Sequence, residues 1–174
     1  AHLELTREIV RRFNYLYKKE VFPEPRAVYS QAKVLPGIDG RKMSKSYDNT
    51  IPFGSGSAEM KERIRMMVTD PQRIKKTDKG NPDVCTVYTF HKVFNREDSD
   101  EIADKCRAGE IGCVQCKNCL AEKMNCLLAD IHLRREELKK KPAFIKEVLE
   151  YGAERAGKVA SSNMEEIKRA MNVL

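Results

Sequence analysis

Apolar positions recur at helical intervals over most of this chain. Leu3, Leu5, Ile9, Val10, Phe13, Leu16 and Tyr17 repeat with the period of one helix face, which predicts an amphipathic helix over residues 3–20. Val21-Phe22-Pro23-Glu24-Pro25 ends it, because two prolines cannot continue a helix. Residues 26–35 contain Ala27-Val28-Tyr29 and Val34-Leu35 and read as a strand or an extended run. Residues 36–57 are rich in Gly, Ser, Pro, Asp and Asn, the composition of a loop. Helical spacing returns over 58–68, with Met60, Ile64, Met67 and Val68 on one side, and Thr69-Asp70-Pro71 stops it.

Beyond residue 55 the pattern is helical apart from its connections. Residues 70–83 form a basic linker carrying Pro71, Gly80 and Pro82. Val84, Val87, Tyr88, His91 and Phe94 make an i, i+3, i+4, i+7 stripe, a shorter helix follows over 100–107, and residues 109–116 read as loop. Leu120, Met124, Leu127, Leu128, Ile131 and Leu138 mark a long helix that runs into Lys139-Lys140-Lys141. Pro142 suits the first turn of the next helix, where its missing N–H has no partner to lose. Ser162-Asn163-Met164-Glu165 has the form of a capping box and predicts a separate last helix to about Asn172. No internal repeat is visible. The predicted fold is mainly α: a short α/β remnant followed by an α-helical bundle.

Composition narrows the class. A chain of 174 residues holds one ordinary domain or two small ones, and 41% hydrophobic with 34% charged residues excludes wholesale disorder. Lys+Arg exceed Asp+Glu by 33 − 26 = 7, which suits an acidic partner such as nucleic acid and equally a basic, well-solvated surface. The excess concentrates at residues 61–79 (seven basic, three acidic) and 133–141 (five basic, two acidic). No apolar run approaches the roughly 18 residues of a membrane span. The opening Ala1-His2-Leu3-Glu4 has neither the basic nor the apolar region of a secretory signal. A chain that begins without Met and enters a helix at once reads as part of something longer. His2, His91 and His132 share no spacing and read as packed or solvated side chains.

The chemistry gathers in Pro36-Gly37-Ile38-Asp39-Gly40-Arg41-Lys42-Met43-Ser44-Lys45-Ser46. Lys42 and Lys45 put two mobile cations three residues apart on a turn, and the serines beside them offer hydroxyl donors. Gly37 and Gly40 allow the backbone to approach a ligand. Such a loop can hold a triphosphate and neutralise pyrophosphate as it leaves. A plain basic surface turn has the same composition.

Six cysteines form the second concentration: Cys85, Cys106, Cys113, Cys116, Cys119 and Cys126. The charge and the absence of a signal disfavour a disulfide scaffold. Cys113-x2-Cys116-x2-Cys119 lets thiolates converge on one metal, and Gly112 permits a tight backbone before it. Cys126 reads as a small buried hydrophobe. Cys106, Cys113 and Cys116 supply three ligands; the fourth is Cys85 or Cys119. Cys119 is nearer in sequence, but its direction in the long helix is tied to Leu120 and Met124. Cys85 opens its own helix, where partly positive N–H groups favour a thiolate.

Lys42-Met43-Ser44-Lys45-Ser46 is identical to the KMSKS signature of class I aminoacyl-tRNA synthetases. The flanking Asp39-Gly40-Arg41 and Tyr47-Asp48-Asn49-Thr50-Ile51 resemble the bacterial tryptophanyl-tRNA synthetases, as do residues 2–7, 12–14, 160–167 and 170–172. The resemblance implies ATP-dependent activation of tryptophan and its transfer to tRNA, with Mg2+ accompanying ATP, in a cytoplasmic homodimer with no membrane association. It implies that Lys42 and Lys45 clamp the phosphates as catalytic residues. Ser44 and Ser46 would bond phosphate oxygens, Met43 would anchor the turn, and Val34 would touch the adenine side through its backbone. It divides the chain into 1–54, the end of a Rossmann-type catalytic domain, and 55–174, a helical anticodon-binding domain whose last helix packs back. A subset of the family carries a 4Fe-4S cluster on Cys-x22-Cys-x6-Cys-x2-Cys. Cys106-x6-Cys113-x2-Cys116 agrees, and the resemblance selects Cys85 as the fourth ligand, although 20 residues separate it from Cys106. Zinc is the alternative metal, and Cys119 and Cys126 are left free. No His-x-Gly-His element or amino-acid pocket is present, so this chain alone is expected to be inactive. The competing class is a metal-stabilised nucleic-acid-binding module with no catalytic role.

Overall fold

A computed structural model describes residues 1–30, 32 and 34–173. Its helices are α1 (His2–Tyr17), α2 (Ser57–Arg65), α3 (Thr86–Phe94), α4 (Ser99–Ala108), α5 (Cys113–Lys139) and α6 (Pro142–Ala170), with short 3-10 turns at Lys45–Tyr47 and Pro82–Val84. Among the described residues there is no strand, only one isolated antiparallel bridge between Pro36 and Lys42. The mainly α fold is therefore the one expected. The 26–35 run makes no ladder where it is described; Gln31 and Lys33 lie outside the described residues. The chain divides into two compact units, residues 1–30 with 140–174, and residues 31–139. The cut expected at 54/55 falls inside the second unit.

In the first unit, α1 stops where Lys18 turns left-handed and its N–H bonds the Asn14 carbonyl. The Asn14 side chain then holds the returning chain. Its amide donates to the Phe22 carbonyl at 2.9 Å, and its oxygen accepts from the Val21 and Phe22 N–H groups. Phe13 meets Phe22 edge-on at 4.9 Å, and Arg11 grips Glu24 with two guanidinium nitrogens. α6 is one continuous helix of 29 residues. The expected break at Ser162 does not occur, because no proline or left-handed residue interrupts the ladder there. Extending an existing helix is easier than nucleating a new one.

The second unit holds the main core. Ile38, Ile51, Met60, Ile64, Met67, Val87, Phe90, Leu120, Ala121, Met124 and Leu128 are buried together. Each large side chain so buried contributes about 1.5–3 kcal/mol. α2 and α3 both pack on α5, and α4 packs on α3. Several expected stripe positions miss this core, among them Leu127 and Ile131 on the exposed side of α5. Val68 lies beyond the end of α2, and Val84 sits on the 3-10 turn before α3, so both are exposed. The 70–83 linker is a folded loop. Buried Asp70 accepts from the Gln72 and Asn81 N–H groups, and Asp78 accepts from those of Ile74 and Lys75. The 113–116 segment expected as loop is the first turn of α5. The Cys116 N–H already bonds the Gly112 carbonyl, and nothing in Cys113-Val114-Gln115 opposes helix.

Candidate active-site loop and cysteine cluster

The 36–49 segment is a tight, hydrogen-bonded loop. The Gly37 N–H donates to the Arg41 carbonyl at 2.7 Å, and Gly40, at φ 79°, donates to the Gly37 carbonyl. Asp39 accepts from the Arg41 N–H and guanidinium, and Arg41 lies over the Tyr47 ring. The Ser44 side chain caps the 3-10 turn by accepting from the Ser46 N–H. Asp48 turns left-handed at its end and receives Arg63 from α2, at 2.8 Å to its carbonyl and 2.7 Å to its carboxylate. The Val68 N–H bonds the Ile38 carbonyl, tying the loop to the segment after α2.

At the centre is Asn49, 1% exposed. Its side-chain oxygen accepts from the Ser44 N–H at 2.8 Å, and its amide donates to the Lys42 carbonyl at 3.1 Å and to Asp39 at 2.8 Å. Its own carbonyl accepts from the Ile38 N–H. Gly37 makes this possible, since a Cβ there would stand 2.2 Å from the Asn49 amide nitrogen. The Asn49 amide, with Arg41, holds the Asp39 carboxyl below its ordinary value, and Arg63 does the same for Asp48.

Lys42 and Lys45 are exposed, and among the described residues neither has an ion-pair partner. Met43 packs against the core; Ser44 is half-buried and Ser46 exposed. Val34 is exposed in the 26–35 run. The loop therefore presents two unneutralised cations on a backbone fixed from within. In the sequence Asn49 stands only as a flank of the lysine–serine run. Its position six residues past Met43 carries no periodic signal, because its role depends on closure of the loop.

Cys85, Cys106, Cys113 and Cys116 come from four places: the residue before α3, the last turn of α4, and two positions in the first turn of α5. Burial pushes the Cys116 thiol up to about 12, and Cys85, Cys106, Cys113 and Cys119 add to the shift. Cys106 is raised by burial, opposed by Arg73 and reinforced by Cys85 and Cys113. Cys119 is raised by burial and by Asp98 and Glu122. Each three-residue step in α5 sets a side chain back by about 60°, so Cys119 is turned well away from Cys113. Cys126 is exposed, which corrects the expectation of a buried hydrophobe; it lies on the outer side of α5.

Two N–H donors face the cluster. Arg73 points a guanidinium nitrogen at the Cys106 sulfur, 3.6 Å away. His91 is fully buried, with Nε2 3.2 Å from the Cys116 carbonyl and 3.4 Å from its sulfur, and Nδ1 3.1 Å from the Asn95 amide. Burial lowers the His91 pKa, so the ring is neutral and the amide contact places its proton on Nε2. Gly80 donates to the Cys106 carbonyl, where a Cβ would stand 2.6 Å from the sulfur. Among the described residues no three His, Cys, Asp or Glu side chains stand together as a metal-ligand set. The thiols are neighbours in electrostatic reach, not a closed coordination shell.

Helices carrying an internally bonded Lys-Met-Ser-Lys-Ser loop are what this chain shares with a known family. The family model for class I tRNA synthetases (W and Y) matches residues 1–129, and the chain belongs to that family. It is 44% identical over 174 residues to the tryptophan–tRNA ligase of Aquifex aeolicus, covering 99% of this chain and 44% of that protein. With the tryptophan–tRNA ligase of Thermotoga maritima it shares 45% over 175 residues, covering 99% and 53%. The crystal structure of Campylobacter jejuni tryptophanyl-tRNA synthetase complexed with ADP and tryptophan superposes with a TM-score of 0.74 at 31% identity, over 98% of this chain and 53% of that one. The chain thus spans about half the length of the relatives it matches. No helix among the described residues is long and apolar enough to cross a membrane.

Proposed function

We propose that this chain is the C-terminal part of a tryptophanyl-tRNA synthetase and that its 36–49 loop acts on the phosphates of ATP. The observation that carries this reading is a pair of exposed, unpaired ammonium groups on a loop locked from within, in a chain of this family. In activation the tryptophan carboxylate attacks the α-phosphorus of ATP. The bond from that phosphorus to the bridging oxygen breaks, and pyrophosphate leaves with the charge. Lys42 and Lys45 are the catalytic residues that meet that charge, Ser44 and Ser46 bond phosphate oxygens, and Val34 offers its backbone to the adenine. Mg2+ accompanies ATP. A cation that meets a developing charge in a closed site is worth about 2.7–4 kcal/mol, and here the backbone that carries the two lysines is already set. The adenylate then passes tryptophan to tRNA and releases AMP.

In this reading residues 1–54 complete the catalytic domain and residues 55–174 bind the anticodon end of tRNA. The complete enzyme is a cytoplasmic homodimer, and this chain alone, lacking a His-x-Gly-His element, does not form adenylate. Lys61, Lys75, Lys76 and Lys79 supply phosphate contacts, while Arg63, Arg65 and Arg73 already bond partners within this chain.

Cys85, Cys106, Cys113 and Cys116 are the donors for a metal centre, an iron–sulfur cluster or zinc. Their chemistry fits either, and support comes from their mutual electrostatic reach and from the two N–H groups aimed at Cys106 and Cys116. A metal there cross-links the ends of α3, α4 and α5. Binding requires the four sulfurs to draw together and their protons to leave.

The test is ATP–pyrophosphate exchange in an enzyme of the relatives' full length that carries this segment, with tryptophan or tyrosine as the amino acid. Exchange driven by tryptophan alone is expected. Exchange driven by tyrosine, or none with either, contradicts the reading.

A further inference from the structure

We propose that Asn49 is the positioning residue of the phosphate loop: one buried amide sets the backbone on both sides of Met43 and so aims Lys42 and Lys45. This rests on the phosphate-clamp reading above and deepens it. The Lys42 carbonyl and the Ser44 N–H both bond the Asn49 side chain, at 3.1 and 2.8 Å. A carbonyl and an N–H two residues apart, held by one rigid amide, leave the intervening peptides a single orientation. Met43 is then turned onto the core, and Lys42 and Lys45 remain outside. Ser44, fixed at its N–H, caps the turn that begins with Lys45.

Three further features serve the same hub. The second amide hydrogen goes to Asp39, which in turn orders Arg41. Gly37 leaves the space that the Asn49 side chain fills. Arg63 holds the adjacent Asp48, so the hub is tied to α2. No other residue type meets the set: aspartate lacks the two donors, glutamine is one methylene too long for the space beside Gly37, and serine cannot reach both Lys42 and Ser44. Since the Asn49 side chain is buried, an unmet group left beside it is poorly rescued by water.

The experiment uses an enzyme of the relatives' full length carrying this segment and measures tryptophan-dependent ATP–pyrophosphate exchange, with hydrogen exchange at the Ser44 amide. Asn49→Ala is expected to lower kcat about 10²-fold, the effect of a displacement near 1 Å. The KM for tryptophan should stay within about threefold of wild type, and the Ser44 amide should lose its protection. Asn49→Asp sets a carboxylate against Asp39 and should fall as far. The swap Asp39→Asn with Asn49→Asp restores a donor facing an acceptor at position 39 but leaves the Lys42 carbonyl facing a carboxylate, so it should stay about as low as Asn49→Asp, whereas a role exerted only through Asp39 predicts recovery. Lys42→Ala is the control. If it loses about 10²-fold while Asn49→Ala stays within threefold, or if the swap returns to the wild-type rate, the positioning role is overturned and the clamp stands. If Lys42→Ala is also unaffected, the clamp reading falls and this inference with it.

Discussion

The phosphate loop and the cysteine cluster lie in one compact unit and are built in opposite ways. In the loop, the hydrogen bonds go to the backbone through a neutral hub, and the two charged side chains are left free in water. In the cluster, N–H groups from Arg73 and His91 point at the reactive atoms themselves, and burial keeps Cys116 protonated. On the proposed function, a loop that meets anionic phosphate keeps its cations solvated and ready, whereas thiols that hold a metal would be activated by it. The loop backbone is fixed without a ligand; the thiols form no closed set among the described residues.

That contrast can be broken at several points. The largest effect is expected in the cluster. Cys85→Ser or Cys116→Ser, purified without oxygen, should weaken metal binding about a hundredfold, one ligand's share of a four-thiolate site, while Cys119→Ser retains it. Iron and zinc content with visible absorbance checks this. Loss of metal in Cys119→Ser with retention in Cys85→Ser would exchange the fourth ligand.

Next in size is salt. About four free lysines over 61–79 give a slope near −3 in log affinity against log salt. Binding of tRNA to this chain should therefore fall about fiftyfold between 50 and 200 mM salt. A flat titration contradicts the phosphate contacts.

A smaller effect belongs to Gly37→Ala. Its Cβ collides with Asn49, so unfolding should be easier by about 1–3 kcal/mol, checked by denaturant titration. Alanine at Gly56, which has open space around it, should leave stability within about 0.5 kcal/mol.

The smallest is a titration. Asp39 and Asp48 have folded-state values held below the ordinary 3.8, so the unfolded chain binds their protons first. Their support for the loop is complete above the ordinary value and is lost as pH falls through the lowered ones. Arg41 and Ser44 amide shifts should therefore stay constant down to about pH 4 and move only below it. A midpoint above 4 contradicts the bonding described.

Much of this was legible in the sequence, but unevenly. The α1 helix, the α3 positions Val87, Tyr88 and His91, and the Pro142 start were readable because periodicity and proline act locally, although most of the apolar positions named for α1 are exposed. The Ser162 box was misleading for a related reason: a capping motif states where a helix can begin, not that the preceding one ends. The lysines of the loop were visible as letters, whereas Asn49 was not, since a hub joining residues 37 to 49 exists only once the loop closes. His91, read as packed or solvated, is packed. Its contact with Cys116 joins α3 to α5 across 25 residues and leaves no trace in local spacing. Cys113 and Cys116 were read as loop because Gly112 suggested one, yet the glycine only precedes the helix.

The account depends most on the two ammonium groups. Single-turnover formation of tryptophanyl-adenylate, measured in an enzyme of the relatives' full length carrying Lys42→Ala or Lys45→Ala, tests them directly. The expected result is a rate lowered about 10²- to 10³-fold with tryptophan affinity unchanged. Rates within threefold of wild type for both variants would contradict it.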